Sequence, residues 1–493
     1  MVGLAHLFDD VVAADPDRLA LVIDEREVTY RELQSLVATC AASLAARGLG
    51  AGDRVAVVAA GGPLSTAVLL GTMRIGAAAA LMNVQLKPSE LRELVDAAGC
   101  SPVGVADDAF RGALADAVAG DVVGAAELLG DLPDRDRRPA GPVGEDAGAL
   151  DGALDAMVLF TSGTTGLPKP IPISRDVLSR RLGVMVAPFD PDAPPVIGMM
   201  CVPVFHVGGS LGLLGALQAG RTTVIQPRFE AGEWLRLVAR HHISSAFLVP
   251  TMLQRILDHP DFETTDLSSL RALYYGAAAA PVALVERAMV ALPDVAFANI
   301  FGQTETLGAY TTLTPADHFA PERIGSVGRV NPGVQIRIVD PATGEDVEPG
   351  VVGELWVLAD QTVEAGWLHT GDLARQDADG YLYPSGRLSD TINRGGEKFG
   401  PVEIETVLRA HPSVADVAAA GVPDEEMGER VGVAIVTREP MTADEVKAYC
   451  KERLAIYKVP ERVVFVDELP YSDTGKVVRR SLVELIQSRL ATR

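Results

Sequence analysis

At 493 residues the chain exceeds what one hydrophobic core can organise, which predicts about two or three domains. Apolar residues make up 48 %, enough for large cores, but aromatics only 5 %, so those cores are built mainly from Ala, Val and Leu. A net charge of -23 argues against nucleic acid as a partner, though not against nucleotide binding, which is a local matter.

Four cysteines, Cys40, Cys100, Cys201 and Cys450, are scattered with no C-x-x-C spacing. They read as small core residues in a reducing compartment, so a cytoplasmic protein without disulfides or a zinc framework is expected. The opening Met1-Val2-Gly3-Leu4-Ala5-His6-Leu7 lacks a basic n-region and an apolar h-region, so no signal peptide is expected. The most apolar stretch, 68–84, carries Arg74 in its middle and reads as a buried helix–strand pair, not a membrane span.

Residues 20–105 alternate strand and helix. Thr29-Tyr30-Arg31-Glu32 is a capping box, Leu33, Leu36, Val37, Cys40 and Leu44 follow at helical spacing, and Gly48 closes the helix. The apolar run 54–60 reads as a doubly covered parallel strand; Pro63 opens a second helix and Ser89 is expected to cap a third. This rhythm predicts an α/β layer structure. Gly48, Gly50 and Gly52 precede a strand instead of following one, which rules out a dinucleotide fingerprint. Residues 106–152 lose the rhythm and read as weak helices and a surface excursion around the charged knot 134–138. The alternation then resumes, with strands expected at 154–160, 196–204, 222–226, 245–249, 270–275 and 295–299. From 322 to 387 short strands dominate, with turns at Asn331-Pro332-Gly333 and Ala378-Asp379-Gly380, suggesting a small β-rich subdomain. After Arg387, helices at 401–410 and 443–454 and strands at 414–420, 431–436 and 462–466 predict a compact α+β unit. The expected division is therefore 1–387 and 388–493, with a hinge near Ser389.

The chemistry concentrates in Phe160-Thr161-Ser162-Gly163-Thr164-Thr165-Gly166-Leu167-Pro168-Lys169. Four hydroxyls, two glycines and a lysine fall within nine positions after a buried-strand pattern. Glycines let backbone N–H groups converge on an anion, hydroxyls add donors, and Lys169 adds charge: a polyphosphate cradle, though not G-x-x-x-x-G-K-[ST]. Further on, Asn299-Ile300-Phe301-Gly302-Gln303-Thr304-Glu305 offers a flat ring at Phe301 and a hard oxygen ligand for Mg2+ at Glu305. Gly276-Ala277-Ala278 would let a planar ring approach closely. In Leu368-His369-Thr370-Gly371-Asp372 an acceptor-only carboxylate suits a ribose diol. Gly395-Gly396 marks a bulge or a place where another chain passes, and Lys476 sits in a polar turn before the last helix. Singly, each has an ordinary structural explanation: a tight turn, a strand end, a solvated lysine.

Jointly they resemble the adenylate-forming superfamily, which includes acyl-CoA synthetases, aryl-acid–CoA ligases, peptide-synthetase adenylation domains and luciferases. The resemblance spans essentially the whole chain, from Thr29-Tyr30-Arg31-Glu32-Leu33 through 160–169, Phe205-His206, 276–278, 301–305, 369–372, Gly386-Arg387 and 394–405 to Thr474-Gly475-Lys476. It implies a large N-terminal domain of layered α/β subdomains with a small β-rich subdomain, then a small mobile α+β C-terminal domain. It implies activation of a carboxylic acid by ATP and Mg2+ as acyl-AMP, with pyrophosphate released, then transfer to the thiol of CoA. A separate carrier protein or another nucleophile is the alternative acceptor, since no carrier domain follows Arg493.

By the same resemblance, Thr161, Ser162, Gly163, Thr164, Thr165, Gly166 and Lys169 would hold the β- and γ-phosphates. Gly276, Ala277 and Ala278 would line the adenine, with Phe301 stacking on it, Gly302 beside Phe301 in the same site and Asn299 near its amino group. Thr304 would touch the α-phosphate; Glu305, with Thr161, would bind Mg2+. Asp372 and Arg387 would hold the ribose, and Lys476 would bridge the acyl carboxylate and the α-phosphate. His206 would be the aromatic gate beside that carboxylate, and Gly395 and Gly396 would border the thiol tunnel. Pro170 and Ser389 depart from the family pattern, the latter at the hinge.

Two rival readings remain. Gly208-Gly209-Ser210-Leu211-Gly212 matches the serine-hydrolase pattern G-x-S-x-G but leaves every other motif unexplained. A degenerate homologue acting as a nucleotide sensor would not need the complete set of charged residues. The expected acid lining, 206–210, 277–280, Gln303, Leu307 and Gly308, is small and uncharged. With no cation evident there, a medium-sized apolar or aromatic monocarboxylic acid is expected, handled by a monomer or homodimer.

Overall fold

The computed structural model describes residues 3–129, 152–161, 168–472 and 476–491. In the first α/β layer the strands Arg54–Val58, Ala78–Leu81 and Gly104–Ala106 alternate with helices Pro63–Arg74 and Pro88–Ala98. The strands pair in parallel, extended by Val122–Val123 on one side and Asp155–Thr161 on the other, with Lys169–Ser174 antiparallel at the edge. Burial of Arg54–Val58 on both faces explains its unbroken apolar run. Val55 and Val57 enter one apolar cluster, Ala56 and Val58 another.

The first long helix, Tyr30–Ala46, starts as its capping box requires: Glu32 N–H donates to Thr29 Oγ1 at 3.2 Å and Thr29 N–H to Glu32 Oε2 at 2.8 Å. Gly48 follows its end at φ +83°, which a glycine adopts without strain. The third helix differs from expectation. It begins at Pro88, Ser89 lies inside its first turn, and the cap is Lys87, whose N–H donates to Glu90 Oε2 at 2.9 Å. Proline's fixed φ and missing donor suit a helix's first position, and Glu90 reaches back to do the work expected of Ser89.

The second layer is a nine-stranded sheet whose middle six strands are parallel. Its order from one edge is Arg329–Val330, Gly308–Leu313, Ala296–Gln303, Ala272–Gly276, Ser245–Leu248, Ile197–Met200, Thr222–Ile225, Leu19–Ile23 and Arg26–Thr29. Two boundaries differ from the sequence reading. The strand expected over 196–204 ends at Met200, and the one expected to stop at 299 runs on to Gln303, so Asn299 to Gln303 are strand residues. A four-stranded antiparallel sheet follows: Val334–Val339, Gly353–Ala359, Leu368–Gln376 and Leu382–Arg387.

From Ile392 onward the chain builds a further sheet of Glu397–Phe399, Ile392–Arg394, Gly428–Thr437, Val414–Asp424 and Arg462–Phe465. Helices Pro401–Arg409, Ala443–Lys451 and Arg479–Ala491 pack on it. Its two apolar clusters draw only on residues from Ile392 to Leu490, so this unit carries its own core. In the stretch read as weakly structured, helices Arg111–Ala115 and Ala125–Leu129 form; the charged knot 134–138 lies outside the described residues. Among the described residues no helix is long and apolar enough to cross a membrane.

Candidate active site

Thr161, Gly276 and Thr304 lie at the carboxyl ends of strands with parallel partners, where open α/β sheets leave their binding crevices. Thr161 ends one strand and Lys169 begins the next, directly opposite it in antiparallel register, with Lys169 exposed. Ser162, Gly163, Thr164, Thr165 and Gly166 lie outside the described residues, as do Thr474 and Gly475.

Gly276 ends the strand Ala272–Gly276. A Cβ there would stand 2.1 Å from the carbonyl oxygen of Ile300, so the close pairing of these strands requires glycine. Ala277 follows at φ +65°, turning the chain sharply, and exposes its small side chain. On the neighbouring strand Asn299 is buried, and Phe301 packs edge-on against Tyr310 at 5.4 Å between ring centres. The Tyr310 hydroxyl is buried, has no partner among the described residues, and lies in the field of Asp372 and Arg387.

A polar relay absent from the sequence reading stands behind Asn299. Its amide donates to the Tyr275 hydroxyl, and that hydroxyl meets His318 Nε2 at 2.9 Å. His318 Nδ1 lies 2.8 Å from the Thr314 carbonyl. A carbonyl only accepts, so Nδ1 carries the proton and Nε2 accepts from Tyr275. Burial holds the His318 pKa below its ordinary value, which keeps this neutral arrangement. The only sequence signal was an aromatic before Gly276; His318, 43 positions on, had none.

Thr304 and Glu305 form the turn after Gln303. Thr304's carbonyl accepts from Leu307 N–H and Glu305's from Val363 N–H, each at 3.0 Å. Leu307 sits at φ +46° within this turn. On the antiparallel sheet, Gly371 at φ +70° bends the strand before Asp372, and Asp372 N–H donates to Thr370 Oγ1 at 3.1 Å. Asp372 pairs in register with Arg387, and Arg387 Nε donates to its Oδ1 at 2.9 Å. Burial nonetheless pushes the Asp372 carboxyl above the usual carboxylate range, against the pull of Arg387 and Lys476, with Glu305 adding to the rise.

Lys476 arrives from the C-terminal unit. Its side chain keeps solvent contact by surface area, yet desolvation of its ammonium and the nearby Arg387 pull its pKa down, while Asp372 and Glu305 oppose them. Two cations and two carboxylates, brought from three parts of the chain, thus act on one another. Arg479, three residues on, anchors this segment: it meets Glu405 Oε1 at 2.6 Å and Asp390 Oδ2 at 3.5 Å. Ser389, expected at the hinge, lies in the single turn Leu388–Asp390, its hydroxyl 3.1 Å from Asp390 Oδ1.

His206 caps helix Val207–Gln218 beside Phe205, their rings 4.7 Å apart. Ser210 lies inside that helix, fully buried, its hydroxyl donating to the carbonyls of His206 and Val207 at 3.2 and 3.4 Å. Its proton is committed to helix backbone, so the hydrolase reading has no nucleophile. Gly395 and Gly396 form the tip of the hairpin between Ile392–Arg394 and Glu397–Phe399, at φ +60° and +97°. They are not brought to the four charged residues by any described contact. A Cβ on Gly395 would press Met427 at 2.7 Å, whereas Gly396 faces open space.

Two cations and two carboxylates that act on one another, with Lys476 supplied by the C-terminal unit, fit an ATP-dependent carboxylate-activating enzyme. The chain belongs to the AMP-binding enzyme family. That family's model matches residues 8–365, and the model of its C-terminal domain matches 403–476. The chain is 33 % identical to an indoleacetate–CoA ligase of Aromatoleum aromaticum over 98 % of both chains. It is 32 % identical to a 2-succinylbenzoate–CoA ligase of Bacillus cereus over 96 % of both. Among solved structures, the o-succinylbenzoate CoA synthetase of Bacillus subtilis in complex with its acyl-adenylate intermediate matches with TM-score 0.82 at 27 % identity, over 97 % of each chain. The same enzyme with ATP and magnesium ion matches at TM-score 0.81, 27 % identity, 97 % of this chain and 99 % of that one. The protein is an AMP-forming acid–thiol ligase: it converts a carboxylic acid and ATP to acyl-AMP and pyrophosphate, with Mg2+, then passes the acyl group to the thiol of CoA.

Proposed function

We propose that the four charged residues Lys476, Asp372, Arg387 and Glu305 divide the two substrates of the first step among them. The observation that carries this reading is the mutual field of Lys476, Asp372 and Glu305. A carboxylate is a poor electrophile until it attacks the α-phosphorus of ATP and displaces pyrophosphate. Negative charge then gathers on phosphoryl oxygens, where preorganised cations stabilise it most. Lys476 bridges the attacking carboxylate and the α-phosphate, with Thr304 on the same phosphate. Asp372 and Arg387 orient the ribose. Residues 161–166 and Lys169 take the departing pyrophosphate. Glu305, with Thr161, supplies oxygen ligands to Mg2+, which offsets phosphate charge when bound. Gly276, Ala277, Ala278, Phe301 and Gly302 form the adenine slot, with Asn299 at its amino edge, and His206 borders the carboxylate.

The chain divides at 387/388 into an adenylation domain and a C-terminal domain that turns about Ser389 between the two steps. Two observations support this: the C-terminal unit has its own apolar clusters, and Gly395 and Gly396 make no described contact with the charged group that Lys476 joins. The hairpin then borders the thiol's path in the second arrangement. One chain supplies every residue of this site, which suits a monomer or a homodimer of independent sites. Unpaired cysteines among the described residues support a cytoplasmic location. The acid is of medium size with an apolar or aromatic body, as the small uncharged lining suggests. Pyrophosphate exchange across a panel of acids, with thioester formation followed with and without CoA, tests the reading; exchange with none of them would refute it.

A further inference from the structure

Lys476 stands where the chain reverses. Ser472 N–H donates to the Lys476 carbonyl at 2.8 Å, and Lys476 N–H donates back to Ser472 Oγ at 3.2 Å. One side chain fastens each side of this segment. Before it, the Tyr471 hydroxyl donates to Asp416 Oδ2. After it, Arg479 Nη1 donates to Glu405 Oε1 and to the Ala419 carbonyl, each at 2.6 Å.

The two fastenings are joined to each other and to the hinge turn. Glu405 and Arg409 share one face of helix Pro401–Arg409 at i,i+4 spacing. Arg409 Nη1 lies 3.8 Å from Glu405 Oε2, and its Nε lies 3.9 Å from Asp416 Oδ1. Arg479 reaches the other way, its Nε 3.5 Å from Asp390 Oδ2, while Ser389 Oγ donates to Asp390 Oδ1 at 3.1 Å. A line of alternating charge therefore runs from Tyr471, through Glu405, to the turn at Ser389. Among the described residues, Glu405 is the one carboxylate in this line that meets both guanidiniums. It is only 4 % exposed and also accepts the Ala419 N–H at 2.9 Å. Arg479 opens helix Arg479–Ala491, where a cation works against the helix dipole. Its charge opposes its own helix, so what it contributes lies in the pairing across to Glu405 and Asp390.

Building on the role proposed above for Lys476, we propose that Glu405 is a positioning residue for acid activation: by holding Arg479 and Arg409 it fixes both sides of the Lys476 segment to the turn at Ser389, so that rotation there delivers Lys476 to one place. Lysine carries its charge on a flexible four-carbon stem, so its preorganisation depends on the backbone beneath it. A displacement of about 1 Å at a reacting centre costs up to roughly 100-fold. The competing explanation is that these ion pairs merely hold the C-terminal unit folded.

The test uses the purified full chain and measures pyrophosphate exchange separately from thioester formation with supplied acyl-adenylate and CoA. A panel of straight-chain aliphatic and arylacetic acids is screened first, and the fastest exchanged serves throughout. Glu405→Gln keeps the shape and removes the charge. It is expected to lower kcat for exchange by roughly 10- to 100-fold with the KM for ATP within about threefold. Thioester formation should stay within about threefold of wild type. Arg479→Gln should behave alike, and Arg479→Lys should recover part of the exchange rate. Wild-type exchange in Glu405→Gln overturns the proposal, and so does equal slowing of both half-reactions, as a purely structural network predicts. Should Glu405→Gln not fold, Tyr471→Phe and Asp390→Asn decide, since each cuts one end of the line: both should slow exchange alone by roughly threefold or more, and wild-type exchange in both overturns the proposal. Lys476→Ala separates this inference from the reading beneath it. If it slows exchange alone while Glu405→Gln does not, Glu405's part fails by itself. If it slows both half-reactions alike, or if no acid supports exchange, the role of Lys476 falls and this proposal with it.

Discussion

Asp372 and Arg387 stand opposite each other on adjacent antiparallel strands, with Arg387 Nε donating to Asp372 Oδ1 at 2.9 Å. The register fixes this pair before any nucleotide arrives. Arg387 engages the carboxylate oxygen Oδ1; in the ribose role proposed above, Oδ2 would take the diol. Yet burial still raises the Asp372 pKa, so one guanidinium does not repay its desolvation. Hydroxyls donating to the carboxylate would do so.

Asp372→Ala is accordingly expected to lose roughly 1.5–3 kcal/mol for each charged hydrogen bond removed, seen in kcat/KM for ATP. The wild type should discriminate against 2′-deoxy-ATP and the variant should not. Equal use of both nucleotides by the wild type would contradict the assignment.

Lys169 and Glu305 are expected to separate phosphate from metal. Lys169→Ala should chiefly raise the KM for ATP, whereas Glu305→Gln should demand more Mg2+ for the same rate. Titrations of ATP and Mg2+ that leave both variants like the wild type would rule these roles out.

How far this could be read from the sequence depended on how local each signal is. The capping box at Thr29 follows from adjacent residues and stands as read, and the apolar run read as a strand over 54–60 forms one over Arg54–Val58. That Thr161 and Lys169 face each other on antiparallel strands was not read from the motif between them. Ser89 was misread because Pro88 and Glu90 compete for the same helix start. Motif residues such as Asp372 and Lys476 were recognisable singly, but their mutual field depends on how a separate C-terminal unit packs. The Tyr275–His318 relay and the Glu405–Arg479 pair link positions 43 and 74 apart with no periodic pattern, so nothing in the linear sequence announced them.

The lowered pKa of Lys476 fixes the sign of a pH effect. Its ammonium is lost below the ordinary 10.5, so adenylation should decline as pH rises, at a lower pH than a free lysine would give. The unfolded chain holds that proton more tightly, so this group's share of folding stability rises over the same interval. Falling exchange rate with undiminished thermal stability, relative to Lys476→Ala, is the expected pair of readings. An alkaline limb that persists in the residual activity of Lys476→Ala would assign it to another group.

In the adenine slot proposed above, Tyr275 would be a positioning residue: its hydroxyl, fixed by His318, takes the Asn299 N–H and would leave the Asn299 carbonyl oxygen to meet the adenine amino group. Tyr275→Phe removes the acceptor and should narrow the preference for ATP over GTP by about tenfold, with kcat for ATP changed less than KM. An unaltered ATP-to-GTP ratio of kcat/KM would show that Asn299 is oriented by other means.

The central claim, that Lys476 serves acid activation and not thiol transfer, is tested most directly by measuring the two half-reactions separately in Lys476→Ala. Pyrophosphate exchange should slow by on the order of 100- to 1,000-fold, as when one preorganised donor is removed from a charged transition state. Thioester formation from supplied acyl-adenylate and CoA should stay within a few-fold of wild type. Equal damage to both half-reactions would contradict the account and leave the C-terminal unit working in a single arrangement.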